Sequence, residues 1–305
     1  MGFVGSTIAY TLVVCGLVKE LVLIDRDKDK AEGDAMDMNH GLPFIAPMDI
    51  RSGDYADASG SDIVIITAGA AQRPGETRRD LLKHNTSIME EIVTKLLPYC
   101  DDQTILLIVS NPVDVLTYVA YRCSGFAPNR VFGSGTELDT ARLKFLIGEH
   151  LNIDARNVHT YIIGEHGDSE VPVFSLTSVA GMPITFFCEQ YGRCDTVDVC
   201  YDDLYNRTKK AAYEIIQRKG ATYYAVALTV KRIVACVMGN EHSVLTVSSV
   251  LNGQYGITDV ALSVPSIVSR EGVVHALEVI LTPEEEDKLR KSAMELRQLA
   301  REVGY

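Results

Sequence analysis

A chain of 305 residues, 47% of them apolar, can bury a large core and is expected to form two domains. Its formal net charge of −12 opposes binding to a phosphate backbone, and no apolar run is long enough to cross a bilayer. No basic-then-apolar leader opens the chain, so neither nucleic acid nor membrane is expected as a partner, and the cytoplasm is the expected compartment.

In chain order, the first 134 residues read as alternating strand and helix. Residues 20–25 form an apolar strand, 27–40 a helix, 62–67 a second strand, 79–99 a helix, 104–110 a strand and 113–124 a helix. This alternation predicts a Rossmann-type parallel sheet with helices on both faces. Asp25 ends its strand 20 residues after Gly5, the spacing at which an acidic residue reaches the ribose hydroxyls of a dinucleotide. An acid there repels the extra phosphate of NADP, so NAD is the expected cofactor. Gly2 and Gly5 match only the later part of the Gly-x-Gly-x-x-Gly fingerprint. Its first glycine and the strand before it have no counterpart. Met1 is therefore expected to be an internal methionine of a longer natural chain. Without that strand, the strands 20–25 and 62–67 should lie about 9–10 Å apart and unpaired.

Residues 135–305 change character, to hairpin-like strands and long helices, and predict an α+β substrate domain. The segment 137–150 is helical in composition. Asn252-Gly253 signals a hairpin between 246–251 and 257–264. Thr282-Pro283-Glu284-Glu285 opens a last helix with an N-cap, a proline at its first position and a capping-box glutamate. Leu289, Ala293, Leu296, Ala300 and Val303 give that helix one apolar face.

Three segments carry candidate chemistry. His166 sits between Gly164 and Gly167 just after the apolar run 161–163, and the two glycines should let the backbone turn and leave room beside the ring. An imidazole titrates near neutrality and can both give and accept a proton. Asp139 and Arg142, three apart, share one helix face. A buried carboxylate there could fix the tautomer of an imidazole, and a guanidinium fork could hold a substrate carboxylate, though the same spacing also fits a surface ion pair. The loop 68–78, Ala-Gly-Ala-Ala-Gln-Arg-Pro-Gly-Glu-Thr-Arg, follows a buried strand, where α/β enzymes place ligand-binding groups or simple polar connectors. Seven cysteines, an odd number, read as reduced thiols. The six-residue spacing of Cys188, Cys194 and Cys200, with no histidine between them, matches no common zinc pattern, so no metal site is expected.

These segments, with Ser110-Asn111-Pro112-Val113-Asp114 and Lys219-Gly220-Ala221-Thr222-Tyr223-Tyr224, occur in an order that resembles the lactate and malate dehydrogenase family over essentially the whole chain. The resemblance implies NAD-dependent interconversion of a 2-hydroxy acid and its 2-oxo acid, a step of fermentative glycolysis. It implies that His166 exchanges the proton at the substrate oxygen, that Asp139 orients it, and that Arg142 binds the substrate carboxylate. It further implies that Arg78 closes in and polarises the carbonyl, that Asn111 contacts the nicotinamide ribose and the substrate oxygen, and that Thr222 lines the far side of the pocket. Lys30, Tyr55, Gly69 and Ala70 would border the cofactor. In this family the residue two before the loop proline reads the substrate side chain, and here it is Gln72, where malate enzymes carry arginine. A neutral amide leaves a second carboxylate without a counter-charge and accommodates the methyl of pyruvate, which implies the lactate-forming branch. The alternatives are a malate or bulkier 2-hydroxy-acid dehydrogenase, and an inactive relative kept for binding or assembly. The resemblance also implies a homotetramer responsive to fructose 1,6-bisphosphate, with Lys144, where regulated relatives carry arginine, and His159 holding the effector.

Overall fold

A computed structural model of the protein describes residues 1–70, 77–191 and 197–305, without the side chains of Arg78 and of residues 197–200. Its first half contains α1 (Phe3–Cys15), β1 (Glu20–Leu23), α2 (Lys28–His40), β2 (Asp49–Ser52), β3 (Ile63–Ile66), α3 (Arg78–Leu96), β4 (Ile105–Ile108), α4 (Val113–Ser124) and β5 (Val131–Gly133). The second half begins with α5 (Glu137–Leu151), β6 (Val158–His159), β7 (Ile162–Ile163), β8 (Val171–Pro172), β9 (Ser178–Val179) and β10 (Met182–Pro183). Helices α6 (Ile184–Tyr191), α7 (Val197–Lys219) and α8 (Tyr224–Met238) follow. Strands β11 (Ser243–Leu245), β12 (Ser248–Asn252), β13 (Thr258–Ser263), β14 (Ser266–Ser269) and β15 (Gly272–Ala276) lead to α9 (Pro283–Glu302).

The main sheet is built around β4, whose four residues are all buried. Ile-Leu-Leu-Ile has no polar face because helices cover both sides. Successive side chains point to opposite faces, so Ile105 and Leu107 pack with Ile8 and Leu12 of α1 and Val230, Ile233 and Val234 of α8. Leu106 and Ile108 pack on the other side with Met89 and Val93 of α3, Leu116 and Val119 of α4, and Leu289 and Leu296 of α9. Strands β3, β4 and β5 pair in parallel, with Ile66 opposite Ile108 and Ile108 opposite Gly133.

One feature departs from the simple expectation of a parallel sheet followed by a separate α+β unit. β12 pairs antiparallel with β5, and β13 with β12, so the sheet is mixed and runs across both halves of the chain. The Asn252-Gly253 hairpin forms where the sequence signals it, between β12 and β13; Gly253 N–H donates to the Ile257 carbonyl (2.9 Å) and Tyr255 takes a positive φ of 54°. Strands β1 and β2 form their own parallel pair, and β1 shares no sheet with β3, as the sequence led one to expect.

The last helix forms as its sequence dictates. The Thr282 hydroxyl accepts from Glu285 N–H, the Glu285 carboxylate accepts from Thr282 N–H, and Leu289, Ala293, Leu296 and Ala300 are buried. α5 passes through Gly148, where a Cβ would lie 3.0 Å from the Ala155 backbone; the glycine lets the chain fold back closely after the helix.

Leu107 is fully buried at the centre of this arrangement. Leu107→Ala should destabilise the protein by about 2–5 kcal/mol, the usual cost of a leucine-to-alanine cavity, read from the shift in a denaturant unfolding curve. A shift under about 1 kcal/mol would show that the core can collapse around the site.

Candidate active site

Three loops meet at the site, two of them following strands of the main sheet. The residues just beyond β3 and β4 are stitched together: the Ser110 hydroxyl donates to the Ala68 carbonyl (2.6 Å), and buried Asn85 of α3 accepts from Ala70 N–H (2.8 Å) while donating to the Asn111 carbonyl (2.9 Å). Gly69 and Ala70 are thereby fixed next to Asn111, whose side chain is exposed and whose peptide bond to Pro112 is cis. Asn85 has no place in the sequence motifs; its signal is an amide in a helix otherwise rich in charge.

The third loop carries His166 between β7 and β8. Gly164 has a φ of +87°, and a Cβ on it would lie 2.9 Å from the Ser292 hydroxyl, so glycine is required there. Gly167 has a different role from the one the sequence suggested. Its φ is not positive, and a Cβ on it would meet the Glu165 carboxyl carbon at 2.8 Å, so it makes room for Glu165 rather than for the imidazole. Glu165 is turned back into the loop, where it accepts from the amide and hydroxyl of Ser169 (3.1 and 2.6 Å).

The imidazole meets the partners proposed for it. His166 Nδ1 hydrogen-bonds Asp139 Oδ2, and Arg142 Nη1 donates to Asp139 Oδ1 at 2.7 Å. Asp139 is only 3% exposed, which excludes a surface ion pair. Burial by itself would raise its pKa, but His166 and Arg142 together outweigh burial and lower it. Burial likewise opposes a charge on His166; the Asp139 carboxylate overcomes it, with help from Asp114, and raises the imidazole to about 9. The ring therefore stays protonated at neutral pH with Nδ1 committed to Asp139, leaving Nε2 as the nitrogen that can exchange a proton. A guanidinium has five N–H donors, so Arg142 has donors left for a carboxylate beyond its bond to Asp139.

Two buried carboxyls lie near this pair, Asp114 and Glu170. Asp114, in the first turn of α4, accepts from the His166 amide at 2.7 Å and is pushed by burial up to about 7. Glu170 is raised to about 8 by burial and then by the charge of Asp139, and its Oε1 has no hydrogen-bond partner among the described residues. Helix α7 lies over the loop, with Tyr205 donating to the Glu170 carbonyl (2.7 Å) and Lys209 to that of Asp168.

The dinucleotide residues lie along the start of the chain. Gly2 is the N-cap of α1, which has no side-chain cap and no acidic residue in its first turn, so its first N–H groups suit an anion such as a pyrophosphate. Gly5 allows α1 to dock on the end of β3, since a Cβ there would lie 2.9 Å from Thr67 Oγ1. Asp25, just past β1, accepts from Asp27 N–H (2.9 Å). These features fit a dinucleotide: glycine at the close approach, an open helix terminus for the phosphates, and an acid for the ribose. Lys30 is exposed, and Tyr55 is half-buried with the Lys95 ammonium 5.6 Å from its ring centre. Thr222 lies half-buried in the link between α7 and α8. Lys144 is half-buried on α5 and His159 is exposed on β6, which packs against α5. Gln72 and the side chain of Arg78 lie outside the described residues, as do Cys194 and the side chain of Cys200. No described helix is long and apolar enough to cross a membrane.

Residues 1–133 match the NAD binding domain of lactate/malate dehydrogenase, and residues 136–303 match its alpha/beta C-terminal domain. An L-lactate dehydrogenase of a Thermoanaerobacter species is 55% identical over 302 residues, covering 99% of this chain and 96% of the relative. That of Acetivibrio thermocellus is 55% identical over 298 residues, with 98% and 93% covered. Among solved structures, a lactate dehydrogenase from a Medee basin deep-sea metagenome superposes with a TM-score of 0.96 at 44% identity, covering 100% of this chain and 97% of the other. The minor L-lactate dehydrogenase of Enterococcus mundtii gives 0.95 at 42%, covering 99% and 96%. With both domain models matched in order and a buried His166–Asp139–Arg142 set at the sheet edge, the chain belongs to the lactate/malate dehydrogenase family and takes NAD as its cofactor.

Proposed function

We propose that the protein is an L-lactate dehydrogenase that reduces pyruvate to L-lactate and also catalyses the reverse reaction. The observation that carries this reading is the imidazole of His166, held by Asp139 and raised to about 9, beside the guanidinium of Arg142. Arg142 takes the substrate carboxylate and fixes the carbonyl carbon in the site. His166 gives its Nε2 proton to the carbonyl oxygen, and Asp139 holds Nδ1 throughout, so the ring neither turns nor changes tautomer. Bound NADH supplies the hydride to the carbonyl carbon. Arg78 polarises the carbonyl, Asn111 contacts the same oxygen and the nicotinamide ribose, and Thr222 closes the far side. Asp25, Gly2, Gly5, Gly69 and Ala70 hold the dinucleotide, with Lys30 and Tyr55 at its border.

Gln72 supports pyruvate as the substrate, because a neutral amide gives a second carboxylate no counter-charge. The curated relatives of similar length bear the lactate name. The intact His166, Asp139 and Arg142 constellation weighs against an inactive relative. The protein works in the cytoplasm as a homotetramer, in which Lys144 and His159 bind the phosphates of fructose 1,6-bisphosphate. Lysine keeps the charge there but lacks the bidentate fork, which weakens the effector's grip.

Three measurements test these statements. With NADH, kcat/KM for pyruvate should exceed that for oxaloacetate and for 2-oxoisocaproate, and Gln72→Arg should move the pyruvate-to-oxaloacetate ratio toward oxaloacetate by at least about tenfold, or about 1.4 kcal/mol. An unmoved ratio would mean that another residue reads the side chain.

Because the imidazolium is the donor, pyruvate reduction should hold steady below and fall as pH rises through the raised pKa of His166, near 9 in the protein without substrate. Lactate oxidation needs the neutral ring and should rise over the same interval. Asp139→Asn removes the charge that favours the protonated ring and should move both limbs to lower pH. Limbs that stay in place would separate Asp139 from the proton transfer.

Fructose 1,6-bisphosphate should lower the KM for pyruvate, and Lys144→Arg should reduce the half-effective concentration several-fold through the restored fork. No response in either protein would remove this site from the account.

A further inference from the structure

The loop that carries His166 is fastened residue by residue. Gly164 exchanges two backbone hydrogen bonds with Ser263 of β13 (2.8 and 3.0 Å), and Glu165 N–H donates to the Ser292 hydroxyl of α9 (2.9 Å). The His166 amide itself is held by a carboxylate oxygen, Asp114 Oδ2, at 2.7 Å. Asp114 stands three residues after Asn111, in the first turn of α4, and is 1% exposed. We propose that Asp114 is a positioning residue for the reaction: through the His166 amide it sets the imidazole at a fixed place relative to the Asn111 turn.

The ordinary explanation of an acid at this point is favourable interaction with the positive end of the helix, which a partly exposed aspartate achieves without desolvation. Asp114 is instead buried completely, and its Oδ2 reaches out of its own helix to a different loop. Such burial is unfavourable for a carboxylate and is retained where the contact it makes matters. The charged groups that face it are His166, which favours its ionised form, and Glu165, which opposes it; the Ser248 hydroxyl also favours ionisation. With burial lifting the carboxyl to about 7, a proton can sit on Oδ1 while Oδ2 continues to accept from the amide. The contact therefore depends on an acceptor oxygen and not on a charge. It joins the turn that brings Asn111 to the cofactor side of the site with the loop that brings the proton donor. The distance between those two groups is the geometric requirement of a step that delivers hydride to carbon and a proton to oxygen.

This inference rests on reading His166 as the proton donor, and the test separates the two. Asp114→Ala and the volume-filling Asp114→Leu should lower kcat for pyruvate about tenfold to a hundredfold, the scale of a small misplacement, with little change in the KM for NADH. The kinetic isotope effect with NADH deuterated at the transferred position should rise, because a mispositioned site makes hydride transfer more rate-limiting. Asp114→Asn keeps an acceptor oxygen and should recover most of the loss, with the isotope effect returning toward the wild-type value. Folded Ala or Leu variants with wild-type kcat and isotope effect overturn the proposal, and so does an Asn variant as impaired as Ala. Amide hydrogen exchange gives a reading that needs no turnover. The His166 N–H should exchange slowly in the wild type and in Asp114→Asn, and faster in Asp114→Ala or Asp114→Leu. Fast exchange of that amide in the folded wild type overturns the contact even if the variants fail to fold. A wild type that protects the amide yet does not reduce pyruvate would count against the lactate reading alone.

Discussion

A carboxylate buried between an imidazole and a guanidinium governs the arrangement of this protein. Asp139 is 3% exposed and bonded on one oxygen to His166 and on the other to Arg142. Removing either cation from such a group typically costs about 3–5 kcal/mol, because a charge is left uncompensated in a poorly polarisable interior. The fold must therefore bring a loop histidine and a helix arginine to one aspartate together. The same arrangement prepares the chemistry: the charge of Asp139 keeps the ring protonated, and its geometry keeps Nδ1 occupied.

The rest of the structure supplies the rigidity that this pairing needs. The alternation of β4 between the α1–α8 side and the α3–α4–α9 side fixes the sheet, and the sheet fixes the loops at its edge. Polar side chains then lock the loops to one another: Asn85 between the turns after β3 and β4, Ser292 at the Glu165 amide, and Asp114 at the His166 amide. All three are buried. Each satisfies a backbone group that would otherwise be stranded in the interior, which is the condition on which an irregular loop can be buried at all. The hairpin β12–β13 adds to this by extending the parallel strands antiparallel, so that Ser263 meets Gly164 and the substrate-side loop is tied to the dinucleotide-side sheet.

The limits of legibility follow the range of the interactions. Helices and strands with strong periodicity were readable because their pattern is local: α4 spans 113–124 as its composition implies, and α9 begins at the Thr282 cap. The pairing of Asp139 with Arg142 was readable as a shared helix face, but its burial was not, since three-residue spacing serves surface and interior alike. Gly167 was misread for a similar reason. A glycine in sequence shows that a side chain is excluded, and only the folded loop shows that the space belongs to Glu165.

By itself, then, the sequence determined the alternation that makes the sheet, the caps that begin the helices, and the presence of a histidine, an aspartate and an arginine in the order of a known family. Those are properties of residue type and short spacing. Only the tertiary structure decided that Asp139 is a buried pivot and not a surface charge, that the sheet is mixed, and that Asp114, Asn85 and Ser292 hold the site in place. Asn85, Asp114 and Ser292 bond partners 26, 52 and 127 residues away in the chain, and the cost of burying a polar group can be read only where its distant partner is known.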